Sequence, residues 1–433
     1  MSEHLTPRGV VLWPVGTGDS STIIVDEEIV VQVDLNDQAQ ADEADTPVVA
    51  VVDRLAESLP PTGPDGMPYL AVFVLTHADV DHCRGFEDLL AEVAIGELWV
   101  TPRLWREFLD AGVELSAPAE AFRQEAERRI AATMAAGDDG PESGDRILVI
   151  GYDTDHDKHA YSELPDKYLS GPGKSVTMLD GVDCTGKFEA FLHAPFKDDC
   201  AKARNDTSVA MQITLTDGAG NGQFLLFGDL KYATIEKIFD YSTSKGRVGR
   251  LAWDVLLAPH HCSKYVMYEG DDLKQDVLDA LQANANPGAR VVSSSHPFRD
   301  ADKTGDNPPH LKARDRYEEI VDEPVLCTME HGSVDAPSAV VFEVDSAGVH
   351  LVEPALVEAS ARSAEKAFGD RPGRLGLVAS KAAEYAQQKA AASPDWWKGP
   401  AARTPGPERL GQAVVADRGD DAAPTTAVGF GQR

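Results

Sequence analysis

The sequence predicts a large α/β domain, and two observations lead to this class. Short apolar runs rich in β-branched residues alternate with stretches of helical periodicity between residues 9 and 354. The composition, with 42% hydrophobic residues and 36 glycines, is that of an ordinary globular α/β protein. A chain of 433 residues is expected to form one large domain with an appendage rather than three domains.

The first part of the chain alternates between predicted strands and predicted helices. Residues 9–35 contain three short runs bounded by glycine or acidic residues, which predicts a strand meander. A helix is predicted at residues 45–59, where Thr46 and Pro47 form a suitable start. The following predictions are strands at 70–75 and 97–102, a helix beginning near Gly85, and helices at roughly 103–112 and 117–136.

The second part continues the α/β pattern and then changes composition. Residues 137–175 are polar and rich in Gly, Asp and Pro, so we predict an inserted loop there. Strands are predicted at 189–195, 208–215, 222–229, 253–261, 290–296, 325–329 and 339–345, with helices near 231–240 and 311–321. Ala, Lys, Glu and Gln then dominate. The predicted organisation is a body at residues 1–354, a helical extension at 355–392 and a disordered tail at 393–433.

The charge distribution limits what the body can bind. The chain carries a formal charge of −32, and residues 355–433 hold 11 basic and 9 acidic side chains. Residues 1–354 therefore hold 29 basic and 63 acidic side chains, a formal charge of −34. Such a surface repels polyanions at long range, so a nucleic acid would need bound metal or a local basic patch. A general solubility adaptation explains the charge more simply than a functional acidic surface does.

The cellular setting is predicted from what the sequence contains. No basic-then-apolar leader opens the chain, and no apolar run approaches the ~18–20 residues of a membrane span, so no membrane contact is expected. The five cysteines form no CxxC pair, which argues against a cysteine-built zinc site and fits a reducing compartment. We therefore expect a cytoplasmic protein.

Residues 76–82, THADVDH, place four metal-binding side chains directly after the apolar run LAVFVL. In an extended segment or a tight turn, His77 and Asp79 supply one metal ion, and Asp81 and His82 supply a second. The alternative is a charged loop in which these residues are neighbours by coincidence. The density of ligands behind a buried strand favours the metal site.

Four stretches, in order, resemble the metallo-β-lactamase fold in the form found in DNA-competence proteins of the ComEC/Rec2 type. HADVDH is similar to the second motif of that fold, HxHxDH, with Asp79 in the middle position. VLWPVGTGDSSTIIVDEEIVVQVD resembles the opening of the ComEC/Rec2-type domain and ends at Asp34. RNDTSVAMQI with FLLFGDL, and DVLLAPHHCSK, resemble its later motifs. The resemblance spans roughly residues 9–350 and implies an αββα sandwich, that is, two mixed sheets flanked by helices.

The resemblance also implies the remaining metal ligands. It places Asp229 as the carboxylate that bridges two metal ions and His260 as the ligand of the fifth motif. The histidine of the third motif is missing; Asp206 is the predicted replacement, with Asn205 and His193 as alternatives. Cys262 stands where the family has a glycine after its histidine pair, and Leu35-Asn36 stand where it has glycines.

Several other polar residues are candidates for substrate handling. His261 and Lys264 are placed to face a phosphate or to donate a proton, although His261 is as readily a packed histidine. The family carries a His-Pro step near the rim of the site, for which His296 is slightly preferred to His310. The predicted catalytic residues are therefore Asp81, which is also a ligand, His261, Lys264 and His296.

This ligand set predicts hydrolysis by water activated between two divalent cations, Zn²⁺ or Mn²⁺. The resemblance implies a phosphodiesterase or nuclease. A hydrolase of a small lactone, thioester or phosphodiester is the alternative, and the acidic body favours it over indiscriminate nucleic-acid binding. A non-catalytic interaction module stabilised by metal is the third, and the near-complete ligand series argues against it. The pair Trp396-Trp397 is expected either to dock back on the body, which is the simpler interpretation, or to anchor a protein partner for the tail.

Overall fold

A computed structural model describes residues 6–37, 47, 49–105, 114–151, 160–196, 204–303 and 305–352. All of these residues belong to one compact unit, Met1–Ala359. The predicted helical extension at 355–392 and the predicted tail at 393–433 lie outside the described residues, as does most of the helix predicted at roughly 103–112.

The strands follow the predicted alternation. In chain order they are β1 (Gly9–Leu12), β2 (Ser21–Ile24), β3 (Val30–Val33), β4 (Leu35–Asn36), β5 (Tyr69–Val74), β6 (Ala94–Val100), β7 (Arg146–Ile150), β8 (Leu169–Ser170), β9 (Ser175–Val176), β10 (Met178–Leu179), β11 (Val182–Asp183), β12 (Phe188–Ala194), β13 (Ala210–Asp217), β14 (Gly220–Leu226), β15 (Trp253–Leu257), β16 (Tyr268–Glu269), β17 (Asp272–Leu273), β18 (Ala285–Ser293), β19 (Leu326–Cys327), β20 (Val340–Asp345) and β21 (Gly348–Leu351).

The helices pack on the outside of these strands. The α-helices are α1 (Val51–Ser58), α2 (Val80–Cys83), α3 (Phe86–Glu92), α4 (Ala117–Ala136), α5 (Tyr232–Ser244), α6 (Gln275–Asn284) and α7 (Leu311–Glu318). Short 3₁₀ helices occur at Pro64–Gly66, Gly137–Asp139, Ala160–Glu163, Asp166–Tyr168, Arg204–Thr207, Val248–Arg250 and Lys264–Val266. The four residues Pro259–Cys262 form one tight turn, called here the histidine turn.

Apart from β4, which forms isolated bridges to Cys83 and Arg84, the described strands form two large mixed sheets and two small hairpins. The first sheet has the order β21-β20-β1-β2-β3-β5-β6-β7-β8, and the second has the order β19-β18-β15-β14-β13-β12-β9. In the first sheet β3, β5, β6, β7 and β8 are parallel, and the strands from β21 to β3 are antiparallel. In the second sheet β14, β15, β18 and β19 are parallel, and the pairs from β14 to β9 are antiparallel.

Three buried hydrophobic clusters define four layers. One cluster contains inward-facing side chains of both sheets, such as Val72 and Phe224, so the sheets pack face to face. A second joins the outer face of the first sheet to α1, α3 and α4, and a third joins the outer face of the second sheet to α5, α6 and α7. The layers are helix, sheet, sheet and helix, which confirms the predicted αββα sandwich.

The segment at residues 137–175 corrects one prediction. It was predicted as an inserted loop, but Arg146–Ile150 forms β7, which pairs in parallel with β6, and Leu169–Ser170 forms β8 beside it. The run RILVI is short and apolar, and four of its five residues are buried. Because Gly, Asp and Pro surround this run, the composition of the whole segment concealed a five-residue strand.

The parallel strands place their carboxyl ends at a common edge. β3 and β5 end beside one another in the first sheet, and β14, β15 and β18 do so in the second. In open α/β sheets ligands bind outside the carboxyl ends of parallel strands. The polar residues that follow these strands therefore meet at one edge of the sandwich. Among the described residues, no helix is both long and apolar enough to cross a membrane.

A polar cluster away from that edge anchors the β10–β11 hairpin to the first sheet. The carboxylate of Asp180 accepts hydrogen bonds from Tyr69, Ser143 and Arg146, while its backbone N–H donates to Glu97 Oε2 at 2.9 Å. Burial raises the pKa of Glu97 to about 7, and the charge of Asp180 adds to this effect. At neutral pH the fold therefore holds a carboxyl group that resists ionisation.

We expect Glu97→Gln to change how stability depends on pH. Because the folded pKa of about 7 exceeds the ordinary 4.5, the native protein binds more protons between these values and loses stability as pH rises. Glutamine keeps the acceptor and cannot ionise, so at about pH 8 the variant is expected to be more stable by roughly 1–2 kcal/mol, after allowing for partial exposure.

Denaturant unfolding at about pH 5 and about pH 8 measures this difference. The exposed Glu87 is a matched control, because Glu87→Gln changes charge without touching the cluster. A gain in stability that is the same at both pH values would contradict the assigned role of Glu97.

Candidate metal centre

The site forms where strand ends of the two sheets meet. Asp34 follows β3 and His77 follows β5, both at the edge of the first sheet. Asp229 follows β14, and the histidine pair of the histidine turn follows β15, at the edge of the second sheet. A backbone hydrogen bond from Val209 N–H to the carbonyl of Thr76, 3.0 Å long, ties the two edges together.

The stretch THADVDH is compact rather than extended. Asp79 is the N-cap residue of α2, and Asp81 and His82 lie within that single helical turn, where His82 N–H donates to the carbonyl of Asp79 at 3.0 Å. Of the two forms predicted for this stretch, an extended segment or a tight turn, the structure shows the tight turn for Asp81 and His82. The helical turn folds His82 back under His77, with ring centroids 4.1 Å apart.

The buried carboxylate of Asp34 orients both histidines of this stretch. Its Oδ1 accepts the N–H of Thr76 at 2.7 Å, and its Oδ2 accepts the Thr76 hydroxyl at 2.6 Å and His82 Nδ1 at 2.7 Å. Thr76 Oγ1 lies 3.1 Å from His77 Nδ1. Since that hydroxyl donates to Asp34, it accepts from His77, and the network assigns the Nδ1–H tautomer to both rings. Both Nε2 atoms are left free.

Four imidazoles converge on the two oxygens of Asp229. Oδ1 lies 3.3 Å from His82 Nε2 and 3.5 Å from His261 Nε2. Oδ2 lies 3.7 Å from His77 Nε2 and 3.5 Å from His260 Nε2. One carboxylate therefore has a pair of imidazole nitrogens on each side, which is the arrangement expected of a carboxylate that bridges two ions.

These distances fit metal ions better than hydrogen bonds. Two ligands each about 2.1 Å from one tetrahedral ion lie about 3.4 Å apart, whereas good hydrogen bonds between N and O are about 2.9 Å long. Among the described residues, His77 Nε2, His82 Nε2, His261 Nε2 and Asp229 Oδ1 are buried and have no hydrogen-bond partner. Buried polar atoms without partners are costly, so the donor set fits divalent cations.

Asp19 belongs to the same group of side chains. Ligand atoms of Asp19, His82, Asp229 and His261 all lie within 4.8 Å of one another. Asp19 Oδ1 lies 3.4 Å from His261 Nδ1, on the side of that ring away from the nitrogen that faces Asp229. We therefore interpret Asp19 as the carboxylate that orients His261, as Asp34 orients His82, rather than as a ligand.

Electrostatics make this cluster a strong cation site. Burial alone would lower the pKa of His82, but the carboxylates of Asp229 and Asp34 raise it well above its usual range. The pKa of His261 is raised against burial in the same way by Asp229 and Asp19. Burial would raise the pKa of Asp229, yet the imidazoles hold it well below its usual range. The cluster therefore favours positive charge among its carboxylates.

His260 differs from its neighbour. Burial lowers the pKa of His260 to about 4, and the attraction of Asp229 only partly offsets this. The ring is therefore neutral at physiological pH, which is the form that binds a metal. Its side chain is 18% exposed, compared with 1% for His261, so it lies closer to the mouth of the site.

The histidine turn has an unusual backbone. His260, His261 and Cys262 have φ values of 51°, 54° and 63°, in the left-handed region that costs about 1–2 kcal/mol per residue for side chains other than glycine. The His260 N–H donates to the carbonyl of Gly228 at 2.9 Å, and the His310 N–H donates to the carbonyl of Cys262 at 3.1 Å. Cys262 thus adopts a left-handed conformation that favours glycine.

Gly228 allows the second sheet to approach the first. Its φ is +52°, and a Cβ atom there would lie 2.8 Å from Ser208 Cβ and 3.4 Å from Thr76 Oγ1. Ser208 Oγ in turn accepts the Asp229 N–H at 3.2 Å. Since Asp229 is the next residue, any side chain at position 228 would displace the carboxylate on which the site depends.

Of the three residues considered for the third motif, Asn205 contacts the site, whereas Asp206 and His193 lie outside the ligand group. Asp206 is half-exposed and makes no hydrogen bond or ion pair within the described part of the chain. Asn205 instead donates from Nδ2 to Asp229 Oδ2 at 3.1 Å. His193 is buried with its Nε2 2.9 Å from the carbonyl of Arg250, which is a structural role. The geometry therefore does not bring Asp206 or His193 into the ligand group.

The predicted substrate-handling residues have different surroundings. His261 was predicted to handle the substrate. In the structure it lies at the centre of the site, in the group of side chains that could hold a metal ion. His310 is buried: its Nδ1 accepts the Lys264 N–H at 3.3 Å and its Nε2 donates to the carbonyl of Asp306 at 3.2 Å, so it supports the chain beyond the histidine turn. Lys264 and His296 are half-exposed and stay predictions.

Two functional residues were missed from the sequence. Asp19 was part of the quoted turn GTGD but received no role, and Thr76 was treated only as the residue before the motif. In the sequence, the signal for Asp19 is its position directly after Gly18 in GTGD. Gly18 has φ +150°, and a Cβ atom at this position would lie only 2.8 Å from the carbonyl oxygen of Asp81. Because the two segments approach so closely, the Asp19 N–H donates a hydrogen bond to the same carbonyl at 3.1 Å.

Comparisons with known proteins found only distant structural similarity. No protein-family model matches the sequence, and no curated protein matches it. The chain is similar to the metallo-β-lactamase GOB-18 from Elizabethkingia meningoseptica, with 15% identity and a TM-score of 0.26 over 65% of this chain and 88% of that chain.

It is also similar to the class B3 di-zinc metallo-β-lactamase LRA-12 from an Alaskan soil metagenome, with 12% identity and a TM-score of 0.27 over 65% of this chain and 90% of that chain. Likenesses of this strength say nothing about chemistry. The interpretation of the site rests on its geometry.

We expect Asp34→Asn to weaken metal binding about 10–100-fold without unfolding the protein. Asparagine tolerates the left-handed backbone at this position, where φ is 55°, but it removes the negative charge that orients His82 and Thr76. Competition with a chromophoric chelator measures the affinity for Zn²⁺.

Asp26→Asn is the matched control, because Asp26 caps its own turn and pairs with Lys187 away from the site. Equal zinc affinity in the wild type and Asp34→Asn would show that this carboxylate does not orient a ligand.

Proposed function

We propose that this chain is a metal-dependent hydrolase that cleaves phosphodiester bonds. One observation carries the proposal: both oxygens of the buried Asp229 face a pair of imidazole nitrogens at 3.3–3.7 Å. Such a carboxylate is suited to bridge two divalent cations. The motifs that resemble the ComEC/Rec2-type domain support phosphodiesters as the substrate class, because that resemblance implies a nuclease or phosphodiesterase.

When bound, two divalent cations lower the pKa of a shared water and neutralise charge on the attacking and leaving oxygens. The protein residues supply what surrounds this chemistry. Asp34 holds His82 directly, and His77 through Thr76, in a fixed tautomer, while Asp19 lies 3.4 Å from Nδ1 of His261, so little reorganisation is needed during the reaction. The bottom of the site, formed by His77 and His82, is closed to solvent.

The mouth of the site is where a substrate would enter. Asp79 and Asp81 have side chains 25% and 34% exposed, and His260 is 18% exposed. A phosphodiester that approaches from this side meets carboxylates whose charge must be balanced by the bound cations. Lys264 and His296 are proposed to contact the substrate or to donate a proton to the leaving group.

The donor set guides the choice of metal. Four imidazole nitrogens favour zinc, while Asp79, Asp81 and Asp229 add oxygen donors that manganese also accepts. We propose zinc as the first metal to test and manganese as the second.

The acidic body favours a second candidate function. A formal charge of −34 over residues 1–354 repels long polyanions, so the same site is suited to a small phosphodiester, lactone or thioester. A substrate panel separates the two candidates, since they share the activated water and differ in what reaches it.

We expect the purified protein with Zn²⁺ or Mn²⁺ to hydrolyse an aryl phosphodiester such as bis(p-nitrophenyl) phosphate. His82→Ala and Asp229→Ala are each expected to lower turnover to less than about 1% of the wild-type value, because each removes a donor at the centre of the site. Release of nitrophenolate measures turnover, and thermal unfolding confirms that each variant is folded.

The exposed His350 provides a matched control, and His350→Ala is expected to keep wild-type turnover. Full activity in folded His82→Ala and Asp229→Ala would exclude the proposed site. Cleavage of single- or double-stranded DNA supports the nuclease candidate. Turnover confined to lactones or thioesters would replace it with the small-molecule candidate.

A further inference from the structure

We propose that the adjacent residues His260 and His261 bind different metal ions. His261 completes a centre with Asp81 and His82, and His260 completes a second centre with His77 and Asp79. His260 thereby takes the place of the histidine that is missing from the third motif. This inference rests on the proposed metal-dependent function and deepens it.

The backbone of the histidine turn separates the two rings. Consecutive left-handed residues, with φ of 51° and 54°, project the imidazoles in different directions. The ring planes of His260 and His261 are inclined by 79°, and their centroids are 6.0 Å apart. Each Nε2 atom lies 3.5 Å from Asp229, but His260 faces Oδ2 and His261 faces Oδ1. Neighbouring residues thus reach opposite sides of one carboxylate.

The His261 centre is compact and buried. His82 Nε2 and His261 Nε2 lie 3.3 and 3.5 Å from Asp229 Oδ1, and Asp81 Oδ2 lies 3.4 Å from His261 Nε2. Each ring has a carboxylate at its Nδ1 atom: Asp34 at 2.7 Å for His82 and Asp19 at 3.4 Å for His261. Two orienting carboxylates stabilise this centre, so we expect it to bind the tighter ion.

The His260 centre is more open. His77 Nε2 and His260 Nε2 lie 3.7 and 3.5 Å from Asp229 Oδ2, and Asp79 Oδ2 lies 3.8 Å from His77 Nε2. Asn205, from the third motif, donates a hydrogen bond from its side-chain amide to the same oxygen of Asp229. Asn205 therefore holds this carboxylate in place. Without His260 this centre would have only His77 and two carboxylates, so His260 is needed for a fourth protein ligand.

Metal stoichiometry of the full-length chain tests the assignment without any activity measurement. We compare wild type, His260→Asn and His261→Asn by equilibrium dialysis against Co²⁺ and Zn²⁺, with elemental analysis. Asparagine is chosen because it tolerates the left-handed backbone and its shorter side chain does not reach the imidazole position. His350→Asn is the control, and unfolding curves confirm that the variants are folded.

We expect two ions in the wild type and in His350→Asn. His260→Asn is expected to keep one tightly bound ion, and its Co²⁺ absorption spectrum should retain the bands of the His261 centre. His77→Asn should lose the same ion as His260→Asn, with the same remaining spectrum. In His261→Asn the tighter ion should be lost and the remaining spectrum should differ.

Four results would overturn the inference. Two ions in a folded His260→Asn would show that His260 is not a ligand of the second centre. Loss of the same ion in His260→Asn and His261→Asn would show that the pair serves one centre. A wild type that binds one ion and hydrolyses phosphodiesters would refute the second centre but leave the proposed function standing, whereas a wild type that binds no metal would refute both.

Discussion

The hydrogen bonds of Asp34 are the interaction on which the rest of the site depends. One buried carboxylate accepts from the backbone and hydroxyl of Thr76 and from His82, and through Thr76 it also orients His77. These bonds fix the tautomer of two histidines on either side of Asp229. Without them the rings could rotate, and the nitrogens would no longer be held at a separation that suits a shared ion.

The αββα sandwich supplies the place where this network can form. Parallel strands end together at one edge of each sheet, and the backbone contacts at Thr76 and Gly228 bring the two edges within reach of one another. The histidine turn stores backbone strain at this junction, where Cys262 adopts a conformation that favours glycine. Strain of this kind is found where a structure must aim side chains in a particular direction, and here it aims two adjacent imidazoles apart.

Burial and exposure divide the site into a rigid floor and an open mouth. His77, His82 and His261 are almost fully buried, so their positions are set by packing and hydrogen bonds. Asp79, Asp81 and His260 are partly exposed, and a substrate meets them first. The formal charge of −34 over residues 1–354 would repel a long polyanion, so it favours the proposed small-molecule substrates over nucleic acids.

Local periodicity in the sequence predicted most of the strands, and the cluster THADVDH predicted His77, Asp79, Asp81 and His82 as metal ligands, because both are short-range signals. The αββα sandwich and the place of Asp229 were implied by the family resemblance and not by any local pattern. The strand β7 was hidden by polar neighbours, and Asp206 was predicted at a position where Asn205 makes the contact. Only the tertiary structure brought Asp19 to His261 and divided His260 from His261 across Asp229. These contacts depend on a left-handed turn and on the approach of the two sheets. Because they join residues that are far apart in the sequence, only the complete fold determines the distances between them.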